Sequence, residues 1–215
     1  PKPLSVVYLV CSGSEANDTN IRLVRRYWDL QDKPNKRIII SRKNAYHGST
    51  IASASLGGFK SVHQQFETLP YVEHIVDPNW FVNGGHLSPE EFGLQDVRAL
   101  EEKIDQIGEE NIAAFIAEPI QGAGGVIVPP DSYWPEVSRI LKARDILFIS
   151  DEVICGFGRT GSLFGCQTLG TEPDLITFAK AVTNGFQPLG GVLVSDKVAS
   201  VITAKGGEFA HGFTY

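Results

Sequence analysis

The chain has 215 residues, a net charge of −6 and a hydrophobic content of 42%. A chain of this length can bury a core without disulfide or metal support, and its negative charge disfavours nucleic acid and anionic membranes as partners. It has no apolar run of roughly 20 residues, so we expect no membrane association. It also has no CxxC pair, so we expect its thiols to be reduced and its location to be cytoplasmic.

Apolar runs alternate with amphipathic stretches, which predicts an α/β fold with a mostly parallel sheet sandwiched by helices. The predicted strands are Arg37–Ser41, Ile112–Glu118, Ile146–Ser150, Leu175–Phe178 and Gly191–Ser195. The predicted helices run from Ser14 to about Leu30 and over Phe92–Ile107, Pro135–Ala143 and Asp196–Ala204. No repeat or linker divides the chain, which favours one domain over residues 1–215.

The segment Ser12-Gly13-Ser14-Glu15-Ala16-Asn17 follows the apolar run Val6–Val10 and opens the first predicted helix. Its backbone N–H groups and serine hydroxyls can bind an anion such as a phosphate at the positive end of the helix. The alternative is that Ser14 only caps the helix, with Asn17 three residues further on. Both interpretations remain open at this point.

Tyr46-His47-Gly48 follows the strand Arg37–Ser41. An aromatic ring at this turn can stack on a flat cofactor, and His47 can donate a hydrogen bond to it. The alternative is a buried aromatic residue beside a histidine with a structural partner. The five histidines show no paired helical spacing, which argues against a metal site.

Glu118 ends the strand Ile112–Glu118, and Asp151 follows the strand Ile146–Ser150. Ligands collect at the carboxyl ends of strands in doubly wound sheets. A buried Glu118 would need a partner, whereas the alternative is a surface residue before a turn. Val153 would share a face with Asp151 if the strand continued.

Lys180 follows the strand Leu175–Phe178, and its small and apolar neighbours are expected to desolvate its amine. A lysine amine and a buried carboxylate are what pyridoxal 5′-phosphate chemistry requires. The amine forms a Schiff base with the cofactor aldehyde, and the carboxylate keeps the pyridine nitrogen protonated. We therefore predict that Lys180 and Asp151 are catalytic, the alternative being two solvated charges.

These segments, together with Gly212-Phe213-Thr214-Tyr215, resemble the class III (omega) aminotransferases of pyridoxal phosphate fold type I over essentially the whole chain. The stretch from Ser150 to Gly161 is the most specific and resembles the amine–pyruvate and omega-amino-acid–pyruvate branch. The resemblance implies a homodimer in which Thr214 binds the phosphate of the partner subunit's cofactor. Within one subunit it implies a cofactor site formed by Ser12, Gly13, Ser14, Tyr46, His47, Glu118, Asp151, Val153 and Lys180.

The roles that the resemblance implies are specific. Lys180 would carry the Schiff base and move a proton, and Asp151 would pair with the pyridine nitrogen. Gly13 and Ser14 would bind the phosphate, whereas Tyr46 and Val153 would lie on opposite faces of the ring. Glu118 would support Asp151 or His47. The sequence departs from the family at Cys11, where asparagine is common.

The resemblance implies transfer of an amino group from a primary amine or omega-amino acid to pyruvate or a similar keto acid. The chain lacks methionine, and family members are longer, so we expect an incomplete large domain without the N-terminal segment and the C-terminal small domain. A catalytically inactive fragment, a racemase, a phospho-lyase and a 4-aminobutyrate or ornithine transaminase remain alternatives. A nucleotide-binding domain is disfavoured, because Pro129 and Pro130 lie where its helix would begin.

Overall fold

The computed structural model describes residues 4–212, which form a seven-stranded sheet flanked by helices. The strands are β1 (Val6–Val10), β2 (Ile38–Arg42), β3 (Val72–Ile75), β4 (Ile112–Ala117), β5 (Leu147–Asp151), β6 (Leu175–Phe178) and β7 (Gly190–Val194). Their order across the sheet is β1-β7-β6-β5-β4-β2-β3. All neighbours from β6 to β3 are parallel, whereas β7 runs antiparallel to both β6 and β1.

Two long helices and several short ones connect the strands. They are α1 (Gly13–Leu30), α2 (Ile51–Leu56), α3 (Lys60–His63), α4 (Trp80–Asn83), α5 (Pro89–Ile107), α6 (Tyr133–Ala143), α7 (Gly165–Thr168) and α8 (Asp196–Val201). Ser88 and Glu91 form a reciprocal capping box at the start of α5, and proline occupies its first turn. These signals fix the start of the helix three residues before the predicted Phe92.

The core has two layers, one on each face of the sheet. Strand β4 shows why, because Ala114 and Ile116 point into the layer formed with α1, whereas Phe115 and Ala117 point into the layer formed with α5 and α6. Alternate residues of a strand face opposite sides, so a central strand that is covered on both sides is apolar throughout. The predicted fold class is therefore confirmed.

The five predicted strands are confirmed to within one residue at each end, but three details of the prediction are wrong. The two edge strands, β1 and β3, are not among the predicted strands. Strand β1 was noted only as the apolar run Val6–Val10, and β3 contains Glu73 and His74 and has no continuous apolar run. Helix α8 ends at Val201 rather than Ala204 and continues as a π-helical turn over Ile202–Gly206. Glu118 lies just after β4 and is not part of it. None of the helices in the described range combines the length and apolarity needed to span a bilayer.

A buried polar cluster lies between β2 and the α5–α6 layer. Arg42 is fully buried, with its guanidinium carbon 5.4 Å from the centroid of the Trp134 ring, and it donates to the Glu118 carbonyl oxygen. Asp96 on α5 is 5% exposed, and its Oδ2 has no hydrogen-bond partner within residues 4–212. Desolvation raises the pKa of Asp96 to about 7, although the positive charge of Arg42 opposes this shift.

We expect Asp96→Asn to stabilise the protein at pH 8 and to leave its stability at pH 4 nearly unchanged. The pKa of Asp96 is raised on folding, so the folded state binds more protons, and this carboxyl makes stability fall as the pH rises from about 4 through 7. The free energy of unfolding of Asp96→Asn minus that of the unmodified protein should increase by on the order of 3 kcal/mol from pH 4 to pH 8. Urea unfolding at both pH values measures this difference.

The matched control for this prediction is Asp105→Asn. Asp105 lies on the same helix, but its side chain is 62% exposed and ion-paired with Arg144. Its replacement should change the free energy of unfolding by less than about 1 kcal/mol. Equal pH dependence in Asp96→Asn and in the unmodified protein would contradict the prediction.

Candidate active site

One cavity opens where the carboxyl ends of β1, β5 and β6 meet the amino end of β7. Its volume is about 320 Å³, which falls in the range typical of small-molecule sites. Helix α1 begins at this edge because it directly follows β1, and the reversed direction of β7 brings Gly190 beside Val10. The lining residues are Cys11, Ser12, Gly13, Ser14, Tyr46, His47, Gly48, Asp151, Val153, Ala179, Lys180, Thr183, Gly185, Gln187, Pro188 and Leu189.

The N-terminus of α1 forms one wall of the cavity. Ser12 is the N-cap residue, because its backbone is extended and its Oγ accepts from the Glu15 N–H at 3.2 Å. The alternative that Ser14 caps the helix is therefore wrong. The N–H groups of Gly13 and Ser14 have no carbonyl acceptor within the helix and can bind an anion. The hydroxyl of Ser14 accepts from the Ser49 N–H at 3.0 Å, which leaves its own proton to be donated.

Glycine is required at two positions that line the cavity beside the start of α1. A Cβ on Gly13 would lie 2.9 Å from Cγ2 of Val153, and a Cβ on Gly48 would lie 2.5 Å from Oγ of Ser14. Gly48 also has a φ of 135°, a backbone conformation that favours glycine. At both positions the backbone carries no side chain, so a ligand can closely approach the N–H groups at the start of α1.

Asp151 is 3% exposed and lies at the end of β5, as the sequence predicts. Its Oδ2 accepts from Nδ2 of Asn17 at 2.9 Å and from Nδ1 of His47 at 2.8 Å. Its Oδ1 accepts from the Val153 N–H at 3.1 Å. Three donors therefore hold this carboxylate in one orientation. Val153 lies beyond the end of β5, so it does not share a strand face with Asp151, although both residues line the cavity.

His47 is 2% exposed, and its hydrogen bond to the anionic Asp151 assigns the proton to Nδ1. The other ring nitrogen, Nε2, has no partner within the described residues. Tyr46 is 37% exposed, so the alternative of a buried aromatic is wrong. Its hydroxyl bonds Oγ of Ser49 at 2.9 Å, which fixes the ring at the cavity wall.

Glu118 lies behind the cavity wall and is 2% exposed, so the surface alternative is wrong. Its Oε1 accepts from the Tyr46 N–H at 3.0 Å and its Oε2 from the Gly122 N–H at 2.9 Å. Burial raises the pKa of Glu118, whereas the electrostatic influence of His47 lowers it. Glu118 thus positions the loop that carries Tyr46 and His47 through the backbone, rather than through a hydrogen bond to Asp151 or His47.

Lys180 lines the cavity just after β6, within a 3₁₀ turn over Lys180–Val182. Its φ of 48° is a left-handed conformation that costs a non-glycine residue roughly 1–2 kcal/mol. The expected desolvation of its amine is wrong, because Lys180 is exposed on the open side of the cavity. No hydrogen bond or ion pair occupies its Nζ within residues 4–212.

The structure therefore brings eight of the predicted cofactor residues to one cavity and places Glu118 directly behind it. Thr214 lies outside the described residues. Two features of the site were not predicted as such: Asn17, which donates to Asp151, and the loop from Thr183 to Leu189, which lines the cavity. Residues 4–212 contain no group of three or more His, Cys, Asp or Glu side chains that could hold a metal ion.

Comparison with known proteins agrees with this geometry. The Putrescine–pyruvate aminotransferase of Pseudomonas aeruginosa is 56% identical, over 100% of this chain and 47% of that protein. The Gamma aminobutyrate transaminase 3 of Solanum lycopersicum is 48% identical, over 99% of this chain and 42% of that protein. This chain thus spans about half the length of the curated relatives that it matches.

Solved structures give the same result. The (S)-enantioselective omega-transaminase from Thermomicrobium roseum superposes with a TM-score of 0.96 at 47% identity, over 100% of this chain and 48% of that chain. The omega transaminase from Pseudomonas jessenii in complex with PMP has a TM-score of 0.96 at 43% identity, with the same coverage of 100% and 48%. The family model described as Aminotransferase class-III matches residues 1–215. The chain therefore belongs to the class-III aminotransferase family.

Proposed function

We propose that this chain is the cofactor-binding part of a pyridoxal phosphate-dependent transaminase. The enzyme would move an amino group from a primary amine or omega-amino acid to pyruvate or a similar keto acid. The observation that carries this proposal is that Asp151 and Lys180 line the same cavity as the N-terminus of α1. The similarity to a relative named for putrescine and pyruvate supports the choice of substrates.

The residues of the cavity fit pyridoxal 5′-phosphate. The helix start at Gly13 and Ser14 suits the phosphate, because the N–H groups of these two residues line the cavity and have no acceptor within the helix. Asp151 has acceptor capacity left for a protonated ring nitrogen, and Tyr46 and Val153 can lie against the two faces of the ring. When bound, the cofactor supplies an aldehyde for an amine and a ring that withdraws electrons from the reacting carbon.

Within this site, each residue has a distinct task. Lys180 Nζ would hold the cofactor and, once the donor amine has displaced it, would move the proton from the donor carbon to the cofactor carbon that bore the aldehyde. Asp151 would pair with the protonated ring nitrogen, and its buried donors Asn17 and His47 hold its carboxylate in place. Ser12 caps α1 through its hydroxyl and so fixes the helix start at the phosphate.

We further propose that residues 1–215 are an incomplete large domain of this enzyme and that the protein is a homodimer in which Thr214 binds the phosphate of the partner subunit's cofactor. The coverage of about half of each relative supports the domain assignment. A cytoplasmic location is supported by the sequence, whose three cysteines are odd in number and form no CxxC pair.

An amine-donor screen tests the proposed function. The protein at its natural length, supplied with cofactor, should transfer an amino group from putrescine to pyruvate faster than from 4-aminobutyrate to 2-oxoglutarate. The reverse preference would favour a 4-aminobutyrate transaminase, the name that the tomato relative carries. Failure of every amine with both keto acids would refute the proposal. Running the 215-residue chain beside the natural-length protein tests the alternative of an inactive fragment.

A further inference from the structure

Asn17 lies at the centre of a buried hydrogen-bond network behind the cavity. It is 0% exposed, and its Nδ2 donates to Oδ2 of Asp151 at 2.9 Å and to the His47 carbonyl oxygen at 2.7 Å. Its Oδ1 accepts from Oγ1 of Thr177 at 2.7 Å and from Nδ2 of Asn20 at 3.2 Å. One side chain of α1 is thereby joined to β5, to β6 and to the loop that carries Tyr46 and His47.

The orientation of this amide is determined by its partners. Asp151 is an acceptor when ionised, and the His47 carbonyl oxygen is always an acceptor, so the NH₂ group of Asn17 must face both of them. The Thr177 hydroxyl accepts from Nδ2 of Asn20 at 2.7 Å and therefore directs its own proton to Oδ1 of Asn17. A flipped amide would place donor against donor and acceptor against acceptor, which is costly in a buried site.

The donors around Asp151 are distributed unequally over its two carboxylate oxygens. A carboxylate oxygen accepts about two hydrogen bonds, and Oδ2 already has two, from Asn17 and His47. Oδ1 has only one, from the Val153 N–H. The oxygen with spare acceptor capacity is therefore Oδ1, and this asymmetry depends on the donor that Asn17 supplies.

We propose that Asn17 is a positioning residue for the ring-nitrogen partner of the cofactor. It occupies Oδ2 of Asp151, holds the carboxylate in place and leaves Oδ1 as the acceptor for the ligand. This inference rests on the proposed function of the site. It extends that function to a residue that does not line the cavity and that acts on the ligand through Asp151.

The same face of α1 also holds the loop. Oγ of Ser14 accepts from the Ser49 N–H, and Oδ1 of Asp18 accepts from Oγ1 of Thr50 at 2.8 Å and from the Ser53 N–H at 3.1 Å. Positions 14, 17 and 18 share one helical face, because residues three and four apart are neighbours on a helix. Asn17 alone of these three also bonds the carboxylate, which sets its role apart from fastening the loop.

A matched pair of variants, Asn17→Ala and Asn20→Ala, tests the proposal in the natural-length enzyme. Both asparagines are 0% exposed and lie one turn apart on α1, so both truncations should lower the melting temperature by similar amounts. Only Asn17→Ala should raise the dissociation constant of pyridoxal 5′-phosphate for the stripped protein, by about tenfold or more. Asn20→Ala should change it by less than about twofold, because the Thr177 hydroxyl can still donate to Oδ1 of Asn17 and both acceptors of the Asn17 NH₂ group remain.

A second measurement is the pH titration of the visible absorption band of the bound cofactor. Asn17→Ala should move its midpoint, whereas Asn20→Ala should leave it in place. Asn17→Asp keeps the volume of the side chain but puts a second carboxylate beside Asp151, and two such groups share one proton. It should therefore weaken cofactor binding more than Asn17→Ala does, and the effect should grow between pH 6 and 9.

The outcomes separate the two proposals. If the unmodified enzyme binds the cofactor and Asn17→Ala and Asn20→Ala have the same affinity and the same midpoint, the role of Asn17 is refuted and the proposed function stands. If the unmodified natural-length protein does not bind the cofactor at all, both fail. If Asn17→Ala does not fold, Asn17→Asp gives the same decision, because its packing volume is unchanged.

Discussion

Replacing Lys180 with alanine or with arginine should lower the rate of amino-group transfer by about 10⁴-fold or more, because in the proposed mechanism the residue supplies both a nucleophile and a proton carrier. Arginine keeps the positive charge but cannot be deprotonated in a protein. The Lys180→Arg variant therefore removes the nucleophile without removing the charge. The measurements are the single-turnover rate and the mass of the protein after borohydride reduction. Reduction should fix the cofactor to the peptide that contains Lys180 only in the unmodified enzyme.

Lys197→Ala is the matched control for the Lys180 variants. Lys197 is an exposed lysine ion-paired with Asp174 at 3.2 Å, and it does not line the cavity between α1 and β7. Its loss should leave the transfer rate within about a factor of two, as expected for a surface substitution. Covalent fixation of the cofactor in Lys180→Ala would show that another amine holds it and would remove Lys180 from the proposed mechanism.

Asp151→Asn should reduce kcat by about 10²–10³-fold or more, since removing one preorganised electrostatic partner of a reacting group has effects of this size. The substitution keeps the shape of the side chain but removes the negative charge. It also turns an NH₂ group toward the donors Asn17, His47 and Val153, of which at least one would lose its acceptor. The measurements are kcat, KM and the affinity for the cofactor.

Glu152→Gln tests whether any buried carboxylate at the end of β5 would give the same result. Glu152 is 0% exposed and accepts from the N–H groups of Gly165 at 2.8 Å and Cys166 at 2.7 Å, away from the cavity. Its replacement should lower thermal stability and leave kcat within a few-fold. A kcat for Asp151→Asn equal to that of Glu152→Gln would contradict the proposed pairing of Asp151 with the ring nitrogen.

The sequence predicted the sheet well where physical constraints were local. Runs such as Ile146–Ile149 are apolar at every position because both faces of the central strands are covered, so the four inner parallel strands β2, β4, β5 and β6 could be located within a residue. Since parallel strands end at the same edge, the sequence also predicted that residues after β5 and β6 would meet. Asp151 and Lys180 do so.

What could not be predicted depends on distant partners or on backbone angles. Asn17 bonds Asp151 across 134 positions of sequence and Thr177 across 160, and no spacing rule connects residues so far apart. Ser12 and Ser14 both suit a helix cap, and only the extended backbone at Ser12 decides between them. The exposure of Lys180 was missed because its apolar neighbours belong to β6, whereas its left-handed backbone turns the residue out of the strand.

The antiparallel pairing of β6 with β7 has a consequence for how the cavity can change. A parallel pair needs a long crossover, so altering one of those connections moves a helix, whereas antiparallel neighbours can be joined by a short link. The segment from Thr183 to Leu189 belongs to the connection between β6 and β7, and it lines the cavity. Lengthening or exchanging these residues should therefore change the shape of the cavity without disturbing the register of β6 and β7.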